Sequence, residues 1–293
     1  MAFQTLTPEE QQLVLTYQRE ELTEHHVYLR LARAMPSPEN RAVLERIAAE
    51  ELQHARYWAR VAGKEVQPAW LKIWLYTLLG RVLGITFAVK LMERGEVGAQ
   101  DNYARMEGRV PGVAAIAREE KAHEQALLSM LDEERLRYTG SIVLGLNDAL
   151  VELTGALAGL TFALQRPSLV AMTGAITGIA AALSMAASEY LSTKAEEDER
   201  DPLRASLYTG AAYILTVLAL IVPYLFLKNP YVCLAAALII AVFIIALFNY
   251  YISVARDLPL RQRFLEMAGL SLAVAAISFG IGVLMRTLFG VEV

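Results

Sequence analysis

Apolar and polar positions repeat with a helical period in the first half of the chain and give way to long apolar runs in the second half. Up to about residue 138, apolar side chains recur every three or four positions, as in amphipathic helices. After Tyr138 the apolar runs reach the roughly 20 residues needed to cross a bilayer. The pattern predicts an all-α protein with two domains, residues 1–138 and residues 139–293.

The first domain begins with two clearly marked helices. Residues 7–10 (TPEE) supply an N-cap, a first-turn proline and a capping-box acid, so they predict a helix that runs to about Met35. Residues 37–38 (SP) start a second helix in the same way, and Gly63 ends it. A third helix is expected to end near Glu107.

A break at residues 110–112 (VPG) then leads into a fourth helix that reaches about Arg137. The short connections favour antiparallel neighbours, so the sequence predicts a four-helix bundle. Residues 70–92 are almost apolar enough to span a membrane, but Lys72, Arg81 and Lys90 interrupt them. We expect this stretch to be an interfacial helix, a contact with a partner chain or a buried segment rather than a span.

Side chains suited to metal binding fall on the inward face of the predicted bundle. Glu51 and His54, like Glu120 and His123, are three positions apart, which places them about 60° apart around a helix, on one face. Carboxylates crowded into an apolar bundle repel one another unless a cation compensates them. The alternatives are a polar core without metal and a set of exposed ion pairs. The inward set is Glu21, Glu51, His54, Glu93, Glu96, Glu120 and His123.

Four motifs, EELTEHHVY (20–28), EELQH (50–54), ERGE (93–96) and EEKAH (119–123), together resemble the rubrerythrin branch of the ferritin-like di-iron proteins. The resemblance implies that the seven inward residues hold a di-metal centre of Fe²⁺ or Mn²⁺ with bridging carboxylates. Oxygen and imidazole ligands suit either metal. The four cysteines of a rubredoxin-like site are absent, which puts the electron transfer of rubrerythrin proper in doubt. We expect His25 and His26 to be surface or interface residues rather than ligands.

The two predicted domains differ in how many charged side chains they contain. Residues 139–293 hold only 20 of the 58 charged side chains, and five spans are predicted there, at about 141–164, 169–191, 206–227, 231–254 and 267–288. Lysines and arginines concentrate in the loops after the second and fourth spans, which by the positive-inside rule places the amino-terminal domain in the cytoplasm. No apolar signal segment occurs in the first 30 residues. The single cysteine, Cys233, is expected to pack within a span.

Ionisable residues inside the predicted spans are few, and such residues usually mark an ion path. Asp148 and Glu152 share one face of the first span with glycines, and Met185 precedes Glu189 by one turn in the second. A thioether and a carboxylate at that spacing suit a transition metal. The alternative for Asp148 and Glu152 is a hydrogen-bonded pair that only holds helices together.

The stretches LGLNDALVELTGALAGL and SMAASEYLSTK resemble the vacuolar iron transporter family over the five spans. The resemblance implies a homodimer with an Fe²⁺ or Mn²⁺ path coupled to proton exchange, in which Asp148 and Met185 match the path residues and Glu152 and Glu189 match neighbouring acids. Two departures are Ala149, where a glycine is common, and the short segment 192–205, which lacks a glutamate-rich insert. The two resemblances together suggest the bacterial membrane-bound ferritin-like proteins.

The sequence therefore favours a divalent metal (Fe²⁺ or Mn²⁺) transporter of the bacterial inner membrane that exports iron from the cytoplasm by proton exchange. Its ferritin-like domain would capture or sense the metal. The alternative is a membrane-anchored ferroxidase or peroxide-scavenging di-iron enzyme. Expected partners are metal ions, protons, lipid and a second copy of the chain. The net charge of −4 and the lack of a basic patch do not favour nucleic acid.

Overall fold

The computed structural model describes residues 6–92, 94, 112–129, 138–196 and 200–289. These residues are helical with no strand among them, which confirms the predicted all-α class. The chain divides into two compact units, Met1–Glu133 and Glu134–Val293, called here the amino-terminal and carboxy-terminal units.

The first two helices begin where their capping signals predict. Helix α1, Pro8–Ala32, has the full capping box, since the Thr7 side chain accepts from the Glu10 amide while the Glu10 carboxylate accepts from the Thr7 amide. It ends at Ala32 rather than near Met35. Helix α2, Pro38–Ala62, is capped by Ser37 and ends at Gly63, whose φ of 63° lies in the left-handed region that glycine tolerates.

The predicted third helix is not continuous. Helix α3 covers Trp70–Leu83, and Gly84, with a φ of 103°, interrupts the hydrogen-bonding pattern before helix α4 resumes over residues 85–92. This break was not predicted, because the apolar pattern runs through Gly84 unchanged. The remainder of the predicted third helix, to Glu107, lies outside the described residues apart from residue 94.

Helix α5, Val113–Ser129, follows Gly112, which also has a positive φ. Helix α1 packs against α2 and α3, and α2 contacts α5. Hydrogen bonds from Trp58 to Glu21 and between His25 and Ala48 show that α1 and α2 run antiparallel, since the later position on one helix meets the earlier position on the other. These contacts arrange α1, α2 and α5 around a common interior.

Among the described residues, five helices are long and apolar enough to cross a membrane. The chain is thus an integral membrane protein, as predicted. The helices are α6, Thr139–Leu164; α7, Pro167–Ala195; α8, Pro202–Phe226; α9, Pro230–Arg256; and α10, Leu260–Phe289.

Two of these helices begin earlier than the hydrophobic pattern suggests. Asp201 caps α8 through the amides of Leu203 and Arg204, so the helix starts at Pro202 rather than near residue 206. Helix α10 starts at Leu260 because its charged first turns are helical before the apolar run begins. Hydropathy detects only the part of a helix that suits lipid.

Helix α6 is central to the carboxy-terminal unit and contacts all four other membrane helices. Glycines permit this close packing. A Cβ at Gly145 would clash with the backbone carbonyl of Thr209 on α8, and a Cβ on Gly282 of α10 would lie 2.5 Å from the carbonyl oxygen of Gly159. The predicted small-residue face of the first span is therefore used for helix contact.

Candidate metal sites

The candidate metal site of the amino-terminal unit is a polar layer between two apolar clusters. On α1, Val14 and Tyr17 lie in one cluster and Val27 and Tyr28 in the other, with Glu21 between them. Helices α2 and α5 repeat the order of apolar, polar and apolar residues. Their polar residues are Glu51, His54, Glu120 and His123. The helical period thus places all five polar side chains at the same level along the helix axes.

Glu21, Glu51, His54 and Glu120 form a compact cluster. Each offers one ligand atom, and these atoms all lie within 4.8 Å of one another. Nδ1 of His54 lies 2.9 Å from Oε1 of Glu120 and 3.4 Å from a carboxylate oxygen of both Glu21 and Glu51. Four side chains from three helices therefore converge on one point.

His123 extends the cluster on its other side. Its Nδ1 lies 3.1 Å from Oε1 of Glu51 and 3.8 Å from Oε2 of Glu120. The rings of His54 and His123 stack with their centroids 5.7 Å apart. Five of the seven predicted metal residues are thus brought together, while Glu93 and Glu96 lie outside the described residues.

The outer nitrogen of each imidazole is held by a glutamate that the sequence analysis did not select. Nε2 of His54 lies 2.7 Å from Oε2 of Glu119, and Nε2 of His123 lies 2.6 Å from Oε2 of Glu50. The pairing is crossed, because each glutamate belongs to the motif of the other histidine. The sequence feature that could have identified them is the pair of adjacent glutamates in EELQH and EEKAH. The first glutamate of each pair faces the opposite helix.

Trp58 orients the carboxylate of Glu21. Its indole Nε1 donates a hydrogen bond of 3.1 Å to Oε1 of Glu21, and its ring packs against Tyr17 at a centroid distance of 5.3 Å. Trp58 is completely buried. The other oxygen of Glu21 is left to face His54. A buried aromatic donor of this kind orients one carboxylate oxygen and frees the second for a ligand.

The cluster strongly perturbs its own protonation. Burial raises the pKa of Glu21 well above its usual range, and the neighbouring carboxylates add to the rise against the effect of His54. Burial opposes ionisation of Glu51 too, but its contacts with the His123 and His54 imidazoles lower its pKa to about 2. Burial likewise disfavours a charged His123, yet Glu120 and Glu51 raise its pKa to about 10. The pKa of His54 is raised for the same reason.

The cluster's polar atoms fit a metal ion. Burial leaves five of them without a hydrogen-bond partner among the described atoms: Oε2 of Glu21, Oε2 of Glu51, Oε1 of Glu120, and Nδ1 of both His54 and His123. All five are acceptors when deprotonated, and all five face the common interior. A cation satisfies such a set, which an apolar core otherwise leaves unpaired at a cost of a few kcal/mol per group. Carboxylates and imidazoles without thiolate are the ligands that Fe²⁺ and Mn²⁺ accept.

His25 and His26 are placed outside this cluster. Nδ1 of His25 lies 2.6 Å from the backbone carbonyl oxygen of Ala48, which ties α1 to α2. The His26 ring packs against Trp70 with centroids 5.3 Å apart. Both arrangements are packing contacts within the amino-terminal unit.

In the carboxy-terminal unit, Glu189 is buried near the start of α6. The Ser141 hydroxyl donates a 2.5 Å hydrogen bond to Oε1 of Glu189, and Arg200 Nη1 lies 3.8 Å from the same oxygen. Met185, one turn earlier on α7, packs against the apolar core of the unit. The contact of Ser141 with Glu189 fixes the relative position of α6 and α7.

Glu152 is the fourteenth of the 26 residues of α6, near the middle of the span. The hydroxyl of Tyr213 on α8 donates a 2.8 Å hydrogen bond to its Oε2. Glu152 also lines a cavity of about 460 Å³ bounded by α6, α7, α8 and α10. Tyr213 was not selected from the sequence, where one tyrosine among 13 gave no signal.

Asp148 lies one turn before Glu152 on α6 and is half-buried. Seven residues separate it from Ser141, so it lies roughly 10 Å deeper than the contact with Glu189 at 1.5 Å per residue. The antiparallel chain of α7 places Met185 between these two levels. The four predicted path residues therefore follow one another in depth: Glu189, Met185, Asp148 and Glu152.

These features define an integral membrane protein that pairs a five-helix membrane unit with a separate candidate metal site. Comparison with known families makes the class of the membrane unit more definite. Residues 139–201, which cover α6 and α7 and carry all four predicted path residues, match the VIT family. No curated protein matches the chain.

Proposed function

We propose that this protein is a membrane transporter of a divalent transition metal, Fe²⁺ or Mn²⁺. The observation that carries the proposal is the VIT family match, because the matched helices are those that hold Asp148, Glu152, Met185 and Glu189. Acids at membrane depth are expensive to bury, and a cation that passes between them offsets that cost. The coordination chemistry of the path, carboxylates with one thioether, suits a transition metal better than an alkali ion.

The proposed path begins at Glu189 and leads along α6 towards Glu152. Glu189 already has a hydroxyl donor and a cation nearby, at the level where α6 begins. Asp148 then offers the next carboxylate, and Glu152 is held by Tyr213 at mid-span. A carboxylate binds a cation when ionised and releases it when protonated, so proton exchange in the opposite direction is the natural coupling.

The amino-terminal unit is proposed to be a ferritin-like four-helix domain that binds the same metal. Glu21, Glu51, His54, Glu120 and His123 would hold it, with Glu93 and Glu96 completing a di-metal set. Bound there, the metal would neutralise the buried carboxylates and could exchange electrons with an oxidant. The domain would capture cytoplasmic metal for export or sense its level, and a homodimer is part of the proposal.

A second candidate is a membrane-anchored ferroxidase or peroxide-scavenging enzyme. The crossed pairs His54–Glu119 and His123–Glu50 favour it, because two imidazoles with fixed outer nitrogens make a rigid, ordered site rather than a loose storage site. In that account the membrane unit is mainly an anchor. Substitutions in the spans would then leave its activity intact.

Metal flux into sealed proteoliposomes separates the two candidates. The full-length protein is reconstituted around a metal-quenched dye, and Fe²⁺ or Mn²⁺ is added outside with and without a pH gradient. We expect flux for the natural protein and none for Asp148→Ala or the size-matched Asp148→Asn. The control Glu266→Gln, at an exposed acid of α10, should retain flux.

Flux that Asp148→Asn leaves unchanged would overturn the path assignment. Oxygen or peroxide consumption that depends on Glu51 and Glu120, in a protein that moves no metal across the bilayer, would establish the enzyme instead. Removal of the amino-terminal metal site by Glu51→Gln tests its role separately. If Glu51→Gln changes the rate of transport but does not abolish it, the amino-terminal site senses the metal. If transport is lost, the site captures the metal for transport.

A further inference from the structure

Helix α3 presents an apolar face to the outside of the amino-terminal unit. Leu71 is 79% exposed, Trp74 58% and Trp70 53%, and Leu75, Leu78 and Val82 are exposed as well. One side of the Trp70 ring packs on His26, and the rest of the ring faces outward. Two tryptophans and several leucines on one exposed face are unusual for a helix that water surrounds.

This face is separate from the one that seats α3 in the unit. At 100° per residue the six exposed apolar residues occupy an arc of about 140°, while Ile73, Thr77 and Gly80 occupy a second arc of about 60° beside it and are buried. A Cβ on Gly80 would lie 2.5 Å from the Leu31 side chain, so that side packs tightly against α1. Apart from the side of Trp70 that packs on His26, the arc is thus left largely open to the outside of the unit in the part of the chain that the structure describes.

The charged residues on the segment that carries the arc have one sign. Residues 70–92 contain Lys72, Arg81 and Lys90 and no aspartate or glutamate. Acids occur on the neighbouring helix α1, where Glu20 and Glu24 line one pocket with Lys72. An apolar face that contains tryptophan, on a helix whose own charged residues are all cations, complements a surface with an apolar interior and anionic groups above it. A bilayer that contains anionic lipid is such a surface.

We propose that the exposed face of α3 lies in the headgroup region of the membrane that the chain itself spans, where it binds anionic phospholipid. The helix has 14 residues, about 21 Å, so it is too short to cross the roughly 30 Å hydrocarbon core but long enough to lie along its surface. Tryptophan favours this depth, and Lys72 and Arg81 reach phosphate groups from it.

The covalent link between the amino-terminal unit and the first membrane span favours this contact and acts as a tether. Helix α5 ends at Ser129 and the first membrane span begins at Thr139, so the amino-terminal unit is held near lipid by a short stretch of chain. Such a tether gives a high effective concentration, at which even weak interfacial binding is populated. The consequence is that the candidate metal cluster is held next to the membrane surface rather than free in the surrounding solution.

The distribution of tryptophan gives a direct test in the full-length protein. The chain has three tryptophans, Trp58, Trp70 and Trp74, and none lies in a membrane span. Trp58 is buried in the unit, whereas the other two lie on the proposed surface. The protein is reconstituted in nanodiscs made with anionic phospholipid whose acyl chains are either brominated or unmodified. Bromine quenches only those indoles that lie within the lipid.

We expect lower tryptophan emission in brominated discs and no such loss for the double variant Trp70→Phe with Trp74→Phe, which retains only Trp58. Charge reversal by Arg81→Glu should reduce the quenching, and the matched Arg60→Glu on the exposed side of α2 should not. Equal emission in the two kinds of disc would overturn the proposal. Protection of Trp70 and Trp74 from an aqueous quencher only in discs that hold two chains would also overturn it. That result would show that a second copy of the chain covers the face.

Discussion

Nε2 of His54 lies 2.7 Å from Oε2 of Glu119, a residue 65 positions later on another helix. Glu50 holds His123 in the same way. The two EExxH motifs thus support each other, since each supplies the glutamate that orients the histidine of the other. This leaves Nδ1 of each ring directed at the shared carboxylates, the orientation that a metal ligand requires.

Glu51 is the residue on which the cluster depends most, because its two oxygens lie between the two imidazoles. We expect Glu51→Gln to abolish metal binding in the amino-terminal unit. Isothermal titration of the metal-free, full-length protein with Mn²⁺ would measure this. The control is Glu45→Gln, an exposed residue of the same helix, which should bind as the natural protein does. Full binding by Glu51→Gln would show that the cluster is a polar core.

Glu119→Gln should weaken metal binding without abolishing it. The amide accepts a hydrogen bond from His54 less strongly than a carboxylate, so the imidazole becomes a poorer and less ordered ligand. Loss of such an outer contact typically costs about 10–100-fold in affinity. Glu50→Gln should have a similar effect through His123. An affinity equal to that of Glu45→Gln would mean that the crossed pairs do not support the ligands.

Metal affinity in the amino-terminal unit should rise with pH. Without metal, His123 is protonated at neutral pH, because its pKa is raised to about 10. A metal ion must displace that proton, so proton competition weakens as the pH rises towards 10 and strengthens as it falls. Each displaced proton changes the affinity by up to about tenfold per pH unit. Titrations at about pH 6.5 and pH 8.0 in two buffers of different ionisation enthalpy would measure the release, and equal affinity at both values would contradict it.

Tyr213 should matter to transport only through Glu152. Tyr213→Phe removes the single hydroxyl that donates to Oε2 of Glu152 and leaves the ring in place. We expect a reduced metal flux in proteoliposomes, a larger reduction for Glu152→Gln, and no further loss in the double variant. Additive losses in the double-mutant cycle would show that the two residues act independently.

The glycine contacts of α6 make a prediction about stability. Gly145→Ala places a methyl group against the Thr209 carbonyl and should destabilise the membrane unit by about 1–3 kcal/mol. Gly269→Ala and Gly280→Ala are matched controls in α10, where an added Cβ meets nothing within 4 Å. Thermal unfolding in detergent should separate the first variant from the other two. Equal melting temperatures would show that α6 and α8 do not pack this closely.

Local signals predicted the helix starts well and the crossed contacts poorly. The Thr7 capping box and the Ser37 cap are read from a few adjacent residues, and both are confirmed. The inward positions of Glu51 and His54 follow from one helical period. Glu119, by contrast, is exposed on its own helix face and is recruited only because α2 and α5 pack in one particular register. No periodicity within a single helix contains that information.

The break at Gly84 and the role of Tyr213 were missed for related reasons. Glycine is common within apolar helices, and the positive φ that distinguishes Gly84 from the glycines inside the membrane helices is not visible in the sequence. Tyr213 is one of several aromatic residues in an apolar span. Its role is apparent only from the hydrogen bond that its hydroxyl donates to Glu152 on another helix. The assignment of the seven residues of the amino-terminal unit as metal ligands, and of the four residues of the spans as a transport path, stays a prediction, as do the transported metal, its direction of movement and the homodimer.

The most direct test of the central claim, that divalent metal binds both the Glu and His cluster and the acids of the membrane unit, is anomalous scattering from crystals of the full-length protein grown with Mn²⁺. Data collected on both sides of the manganese absorption edge would locate every bound ion. The account predicts anomalous peaks among Glu21, Glu51, His54 and Glu120 and beside Asp148 or Glu152. Ordered side chains at both places with no anomalous peak at either would contradict it.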